Sequence, residues 1–147
     1  MLKEVEVIRD HVLRAMLCGS RVTCRPAPTG TDQDVIVLVQ HIGASGKRMG
    51  ETEYPAIYDD LMSGGWTLGG SGDQDDEFES WTIGDINLIL TADEDFYNRF
   101  VAATTVCARL NVLNKEDRKA IFRAVLYSEG CYSPGENGLE IEQEMPF

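Results

Sequence analysis

Basic residues are scarce in this chain: 13 Lys and Arg stand against 25 Asp and Glu over 147 residues, a formal net charge of −12. That balance argues against a broad nucleic-acid-binding surface, because neutralising a phosphate backbone takes clustered cations. A bound nucleotide would have to be held by local groups and metal ions. The acidity has a bland explanation in solubility and a sharper one in an acidic surface that docks a basic partner, and charge alone favours the first. Long apolar runs are absent. The longest, Val35 to Val39, is far too short to span a bilayer. The opening Met1-Leu2-Lys3-Glu4-Val5-Glu6 lacks the basic-then-apolar order of a secretory signal, so a cytoplasmic location is expected. Cysteine is sparse too. Cys18, Cys24, Cys107 and Cys131 contain no C-x-x-C spacing and read as reduced thiols. His11 and His41 lie far from any cysteine pair, which leaves zinc poorly supported.

What is present reads as one domain over residues 1–130, with a loosely held, Pro- and Gly-containing tail over 131–147. Leu2, Val5, Ile8 and Val12 recur at helical spacing, and the stretch from Val12 to Cys18 is readable as helix or strand. Residues 21–31, with two prolines and a glycine, read as loop. Val35 to Val39 is the β-branched run of a strand covered on both faces. Pro55 begins a short helix with Ile57, Leu61 and Met62 inward and Gly64-Gly65 as its stop. A hairpin follows, from Trp66-Thr67-Leu68 through a polar turn to Phe78–Ile83, with Trp66 and Trp81 as a candidate cross-strand pair. Gly84-Asp85 then turns the chain into Ile86–Thr91. Two helices close the domain. Thr91-Ala92-Asp93-Glu94 has capping-box spacing for the first, and Asn114 caps the second. The expected class is α/β (α+β), a mixed sheet flanked by helices.

One stretch carries chemistry. Gly19-Ser20 is followed, after a loop, by Asp32-Gln33-Asp34 at the head of the apolar strand. Glycine lets backbone approach a phosphate closely, and a serine hydroxyl donates to it. Two acids two residues apart on a strand share a face about 7 Å apart at the backbone, close enough to share divalent ions. This Gly-Ser turn with D-x-D about a dozen residues on resembles the signature of the nucleotidyltransferase superfamily, the polymerase-beta-like fold. The match covers residues 12–39 well. Residues 78–128 look, more loosely, like small predicted nucleotidyltransferases of tailed phages.

The resemblance implies transfer of a nucleoside monophosphate from a nucleoside triphosphate to an acceptor hydroxyl on a protein, an RNA end or a small molecule. It implies Mg2+, two ions at most, on Asp32 and Asp34, with phosphate held by Gly19, Ser20 and Arg21. It also implies a third carboxylate on the strand Ile86–Leu90 to complete the second metal site. Asn87 stands where that acid is expected, and Asp85 lies two residues earlier, at a turn. Either Asp85 substitutes, or the site keeps two acids and loses transfer. In the second case the fold would serve as an acidic phage scaffold that binds and inhibits a host protein. Lys47 and Arg48, in a glycine-rich loop, are further candidate triphosphate contacts. Asp73-Gln74-Asp75-Asp76-Glu77 after Gly69-Gly70-Ser71 superficially repeats the motif, but no apolar strand follows it, and it reads as a solvated turn.

Overall fold

A computed structural model describes residues 1–40, 55–69 and 78–127. Lys47, Arg48, the polar turn at 70–77 and the tail at 131–147 lie outside the described residues. The architecture is mixed α+β. A five-stranded sheet has the order β1-β2-β5-β4-β3, with β1 Val12–Cys18, β2 Gln33–Val39, β3 Thr67–Leu68, β4 Glu79–Ile83 and β5 Ile86–Thr91. Only β2 and β5 run parallel, and the other neighbours are antiparallel. The helices are α1 Ser20–Thr23, α2 Pro55–Ser63, α3 Glu94–Leu110 and α4 Lys115–Leu126, preceded by a 3-10 segment at Lys3–His11. Among the described residues no helix is long and apolar enough to cross a membrane.

The run Val35 to Val39 is buried because β2 is central and both its faces are covered. Val35, Val37 and Val39 join Val5, Ile8, Ile57, Leu61, Trp81, Leu88 and Leu90 on one side, beneath the 3-10 segment and α2. Ile36 and Leu38 join Cys18, Phe96 and Tyr97 on the other, beneath α3. Alternation puts Asp34 on this second face, at the end of the row begun by Leu38 and Ile36. The same face of β5 carries Asn87, which the parallel register sets opposite Asp34.

Local chemistry sets the boundaries. Leu2, Val5 and Ile8 recur every three residues, the repeat of a 3-10 helix, and a kink at Ile8 (φ −117°, ψ 18°) divides the segment. Helix α2 ends in a Schellman turn: Gly65 has φ +88°, Trp66 N–H donates to Leu61 at 3.0 Å and Gly65 N–H to Met62 at 3.0 Å. Met62, expected inward, is 61% exposed, because Ile57 and Leu61 one turn apart already face the core. The indole of Trp81 meets the Tyr58 ring at 5.4 Å, and its cross-strand neighbour is Leu68 rather than Trp66. The capping box also shifts. Strand β5 extends through buried Thr91, so Asp93 becomes the N-cap of α3 and accepts from Phe96 N–H, while the Thr91 hydroxyl accepts from Asp93 N–H. Asn114 caps α4 as expected, accepting from Asp117 N–H.

Candidate functional site

Strand β1 ends at buried Cys18, and Gly19 turns the chain with φ +81° and ψ −178°, a backbone region that is essentially glycine's alone. Space demands glycine as well. A Cβ at this position would stand 2.9 Å from both Cβ and Cγ of Asp34, and nearer still to Oδ2. The Gly-Ser turn therefore lies directly against the second acid of the D-x-D. Part of the stretch read as loop is helical: Val22 and Thr23 N–H donate to the Gly19 carbonyl at 3.0 Å, forming the single turn α1.

The loop from α1 to β2 is fastened to the far end of α3. Asn111, left-handed at φ 51°, accepts from Arg25 N–H at 2.7 Å and donates its amide to the Arg25 carbonyl at 3.1 Å. Arg118 of α4 ties in the same corner. Its Nη1 donates to the Leu113 and Val112 carbonyls at 2.7 and 2.9 Å and to the Cys24 thiol at 3.2 Å. These latches set α4 beside the Gly-Ser turn and enclose a cleft of about 420 Å3 lined by Gly19, Ser20, Thr23, Asp32, Asp34 and, from α4, Lys115, Arg118, Lys119 and Phe122. A volume of this order suits a small ligand.

Four of the residues expected at the site thus meet in one cleft: Gly19, Ser20, Asp32 and Asp34. Asn87 sits against Asp34, its amide donating to Oδ1 at 3.3 Å. The carbonyl oxygen of Asn87 is buried with no hydrogen-bond partner. Arg21 and Asp85 are not among the residues lining the cleft. They pair with each other at 3.1 Å, and the Asp85 side chain is 66% exposed on the two-residue turn between β4 and β5. Gly84 takes φ +56° there, as a tight hairpin requires.

Burial pushes the Asp34 carboxyl above the usual carboxylate range, and the negative Asp32 pushes the same way. The Asn87 amide, ahead of the Arg21 charge, opposes both. Burial, with Asp34 nearby, also pushes the Cys18 thiol far up, so it stays protonated. Cys18, Cys24 and Cys107 are buried free thiols.

Among the described residues no three His, Cys, Asp or Glu side chains gather as a metal site. The oxygens that face the cleft include the two carboxylates, and the unsatisfied amide oxygen of Asn87 is buried outside its lining. A hard cation such as Mg2+ is commonly held by one or two carboxylates together with substrate phosphates, so this donor set fits one ion. A partly desolvated carboxylate beside a second carboxylate is itself a site that a cation would relieve.

Sequence reading missed the wall made by α4. The signal was present: Lys115, Arg118, Lys119 and Phe122 fall at i, i+3, i+4 and i+7, one face of a helix. Comparison of the chain with protein-family models, curated proteins and solved structures finds no match.

Proposed function

We propose that the chain is a nucleotidyltransferase-like domain that binds a nucleoside triphosphate with Mg2+ in this cleft and transfers its nucleotidyl group to an acceptor hydroxyl, the bond between the α- and β-phosphates breaking and pyrophosphate leaving. One observation carries the reading: carboxylates and cations line the same small cleft, Asp32 and Asp34 from the β2 side and Lys115, Arg118 and Lys119 from α4. An anion alone would be repelled by the acids, and a cation alone by α4. A metal–polyphosphate complex satisfies both, and three of the 13 cations of an acidic chain are spent on this one helix face.

In this reading Asp32 and Asp34 hold the ion, Gly19 lets the backbone approach a phosphate, and the Ser20 hydroxyl donates to it. Mg2+, when bound, supplies charge neutralisation at the transferring phosphorus. The α4 cations neutralise the remaining phosphate charge, and the cleft walls fix the ligand's orientation. Transfer also needs a base for the acceptor hydroxyl. Among the described residues the acids lining the cleft are the two that hold the ion, so the acceptor must bring its own base or lose its proton to solvent.

Asn87 favours a second reading. The position facing Asp34 carries an amide, and Asp85 is engaged by Arg21 away from the cleft lining. A site with two acids binds one ion well and a second poorly, which supports nucleotide binding without transfer and a scaffold that acts by binding a host protein.

Calorimetric titration with ATP, GTP, CTP and UTP, with and without Mg2+, tests the common part. Mg2+-dependent binding that is lost in the Asp32→Asn/Asp34→Asn double variant is the expected result. Absence of binding at millimolar nucleotide refutes the transferase reading and leaves the scaffold that binds a host protein. A labelled-nucleotide assay in host lysate then separates them, since label on an acceptor supports transfer and binding without label supports the scaffold.

A further inference from the structure

The cleft has a wall whose cations differ in how free they are. Arg118 is committed: its Nη1 holds the Val112 and Leu113 carbonyls and the Cys24 thiol, so it builds the wall. Among the described residues Lys119 pairs with Glu116 at 3.8 Å, on the surface, with the two side chains 56% and 75% exposed. Such a long, solvated pair holds an ammonium weakly. Lys115 is the first residue of α4, where the helix dipole disfavours a cation, and the acids Glu116 and Asp117 follow it in that turn. A lysine placed against the dipole and lining a cleft breaks a local rule, and such breaks concentrate at functional positions.

Lys115 and Lys119 are one helical turn apart on one face, with Cβ atoms about 6 Å apart by helix geometry. That spacing is comparable to the span of two or three linked phosphates. Ammonium groups on flexible stems act as point charges that suit phosphate oxygens without demanding a fixed plane. We propose that Lys115 and Lys119 form the subsite for the terminal phosphates of the ligand and select triphosphates over di- and monophosphates. The inference rests on the nucleotide reading above and adds the residues that set phosphate number.

The geometry gives each wall a separate task. Asp32 and Asp34, with the ion, govern whether any phosphate binds, whereas the α4 lysines govern how many phosphates are preferred. A monophosphate reaching only the acidic side gains nothing from α4.

The test is calorimetric titration of the full chain, in Mg2+, with ATP, ADP, AMP, inorganic tripolyphosphate and pyrophosphate. The Lys115→Gln/Lys119→Gln variant is compared with wild type, and with Arg123→Gln as a variant of an α4 cation that does not line the cleft. Wild type is expected to weaken about tenfold for each phosphate removed, and the double glutamine variant to bind ATP, ADP and AMP within about threefold of one another. Arg123→Gln is expected to retain the wild-type order, and Lys115→Arg/Lys119→Arg to restore most of it. Both lysines are exposed, so circular dichroism and Tm close to wild type certify the fold.

If wild type binds ATP but the double variant keeps the full preference, the inference falls and the nucleotide reading stands. If wild type binds no nucleotide and no polyphosphate, both fall. Tripolyphosphate binding as tightly as ATP, and lost with the lysines, supports the subsite while removing the nucleoside from the reading.

Discussion

Replacing Gly19 by alanine probes the contact on which the site is built. Two penalties apply, and they are separable. The first is conformational: φ +81° with ψ −178° lies in a region costing an L-residue about 1–3 kcal/mol. The second is steric, since the new methyl group would stand 2.9 Å from Asp34 Cβ and Cγ. Asp34 heads a strand paired on both sides, so its backbone does not yield easily and its carboxyl group has to swing away from Asn87. Together these come to about 3 kcal/mol. At roughly 3 °C per kcal/mol for a chain of this size, Tm should fall by about 10 °C.

A double-mutant cycle with Asp34→Gly separates the two parts, because removing the Asp34 side chain removes the collision and leaves the strain. Urea denaturation of the four proteins should give a coupling of about 1 kcal/mol, within the range usual for residues in contact. Loss of Mg2+-dependent nucleotide binding in Gly19→Ala alone should accompany the loss of stability. A cost below about 0.5 kcal/mol with no coupling to position 34 would refute the placement of the Gly-Ser turn against the acid.

Two further outcomes follow from the same corner. Burial raises the Asp34 pKa in the folded protein, so between the unfolded and folded values the native state keeps a proton that the unfolded chain has lost. Stability therefore falls as pH rises through that window, and Asp34→Asn, which cannot ionise, should be more stable than wild type at pH 7 without metal. The difference should vanish below the unfolded-state value, near pH 4, and shrink when Mg2+ is added, as thermal scans across pH will report. Asn87→Asp should raise Mg2+ affinity about tenfold while destabilising the metal-free protein, because it sets a third carboxylate opposite Asp34. Asp85→Asn, on the exposed turn, should leave Mg2+ binding unchanged within about twofold; a larger loss would make Asp85 the third acid.

How much of this was legible depended on whether the cause was local. The both-faces-buried β2, the turn at Gly84-Asp85, the stop at Gly64-Gly65 and the Asn114 cap follow from residues adjacent in sequence. The Thr91 box did not form because two local signals overlapped. Thr91-x-x-Glu94 has the right spacing, but pairing of Thr91 with Leu38 keeps it in the strand and hands the cap to Asp93. The opening segment was half legible, as its apolar residues recur every three positions and a period of 3.0 is easily read as 3.6 over so short a span. The α4 wall was not legible from position alone. Lysines on this helix have an ordinary explanation as a solvated face, and contacts spanning more than 80 residues of sequence, the Asn111 and Arg118 latches among them, bring that face to Gly19 and Asp34.

The chemistry at Asp34 and the basic face of α4 explain each other. Three cations and two carboxylates line one cleft in a chain whose net charge is −12, so the protein as a whole repels the anions that this helix face attracts. At physiological salt that global repulsion is screened beyond about 8 Å, and the immediate neighbours decide what enters. Those neighbours are strained: Asp34 is held partly desolvated, Asn87 keeps a buried oxygen without a donor, and Lys115 opposes its own helix dipole. The first and third have the sign that a bound Mg2+–polyphosphate would relieve, the first through the metal and the third through phosphate, while the Asn87 oxygen is buried outside the cleft lining. Folding alone would favour substituting all three, with Asn or Ser at 34, an apolar residue at 87 and an acid at 115. The coincidence of Asp34 and Lys115 at one cleft is therefore a stronger argument for a ligand than the Gly-Ser and D-x-D spacing taken by itself.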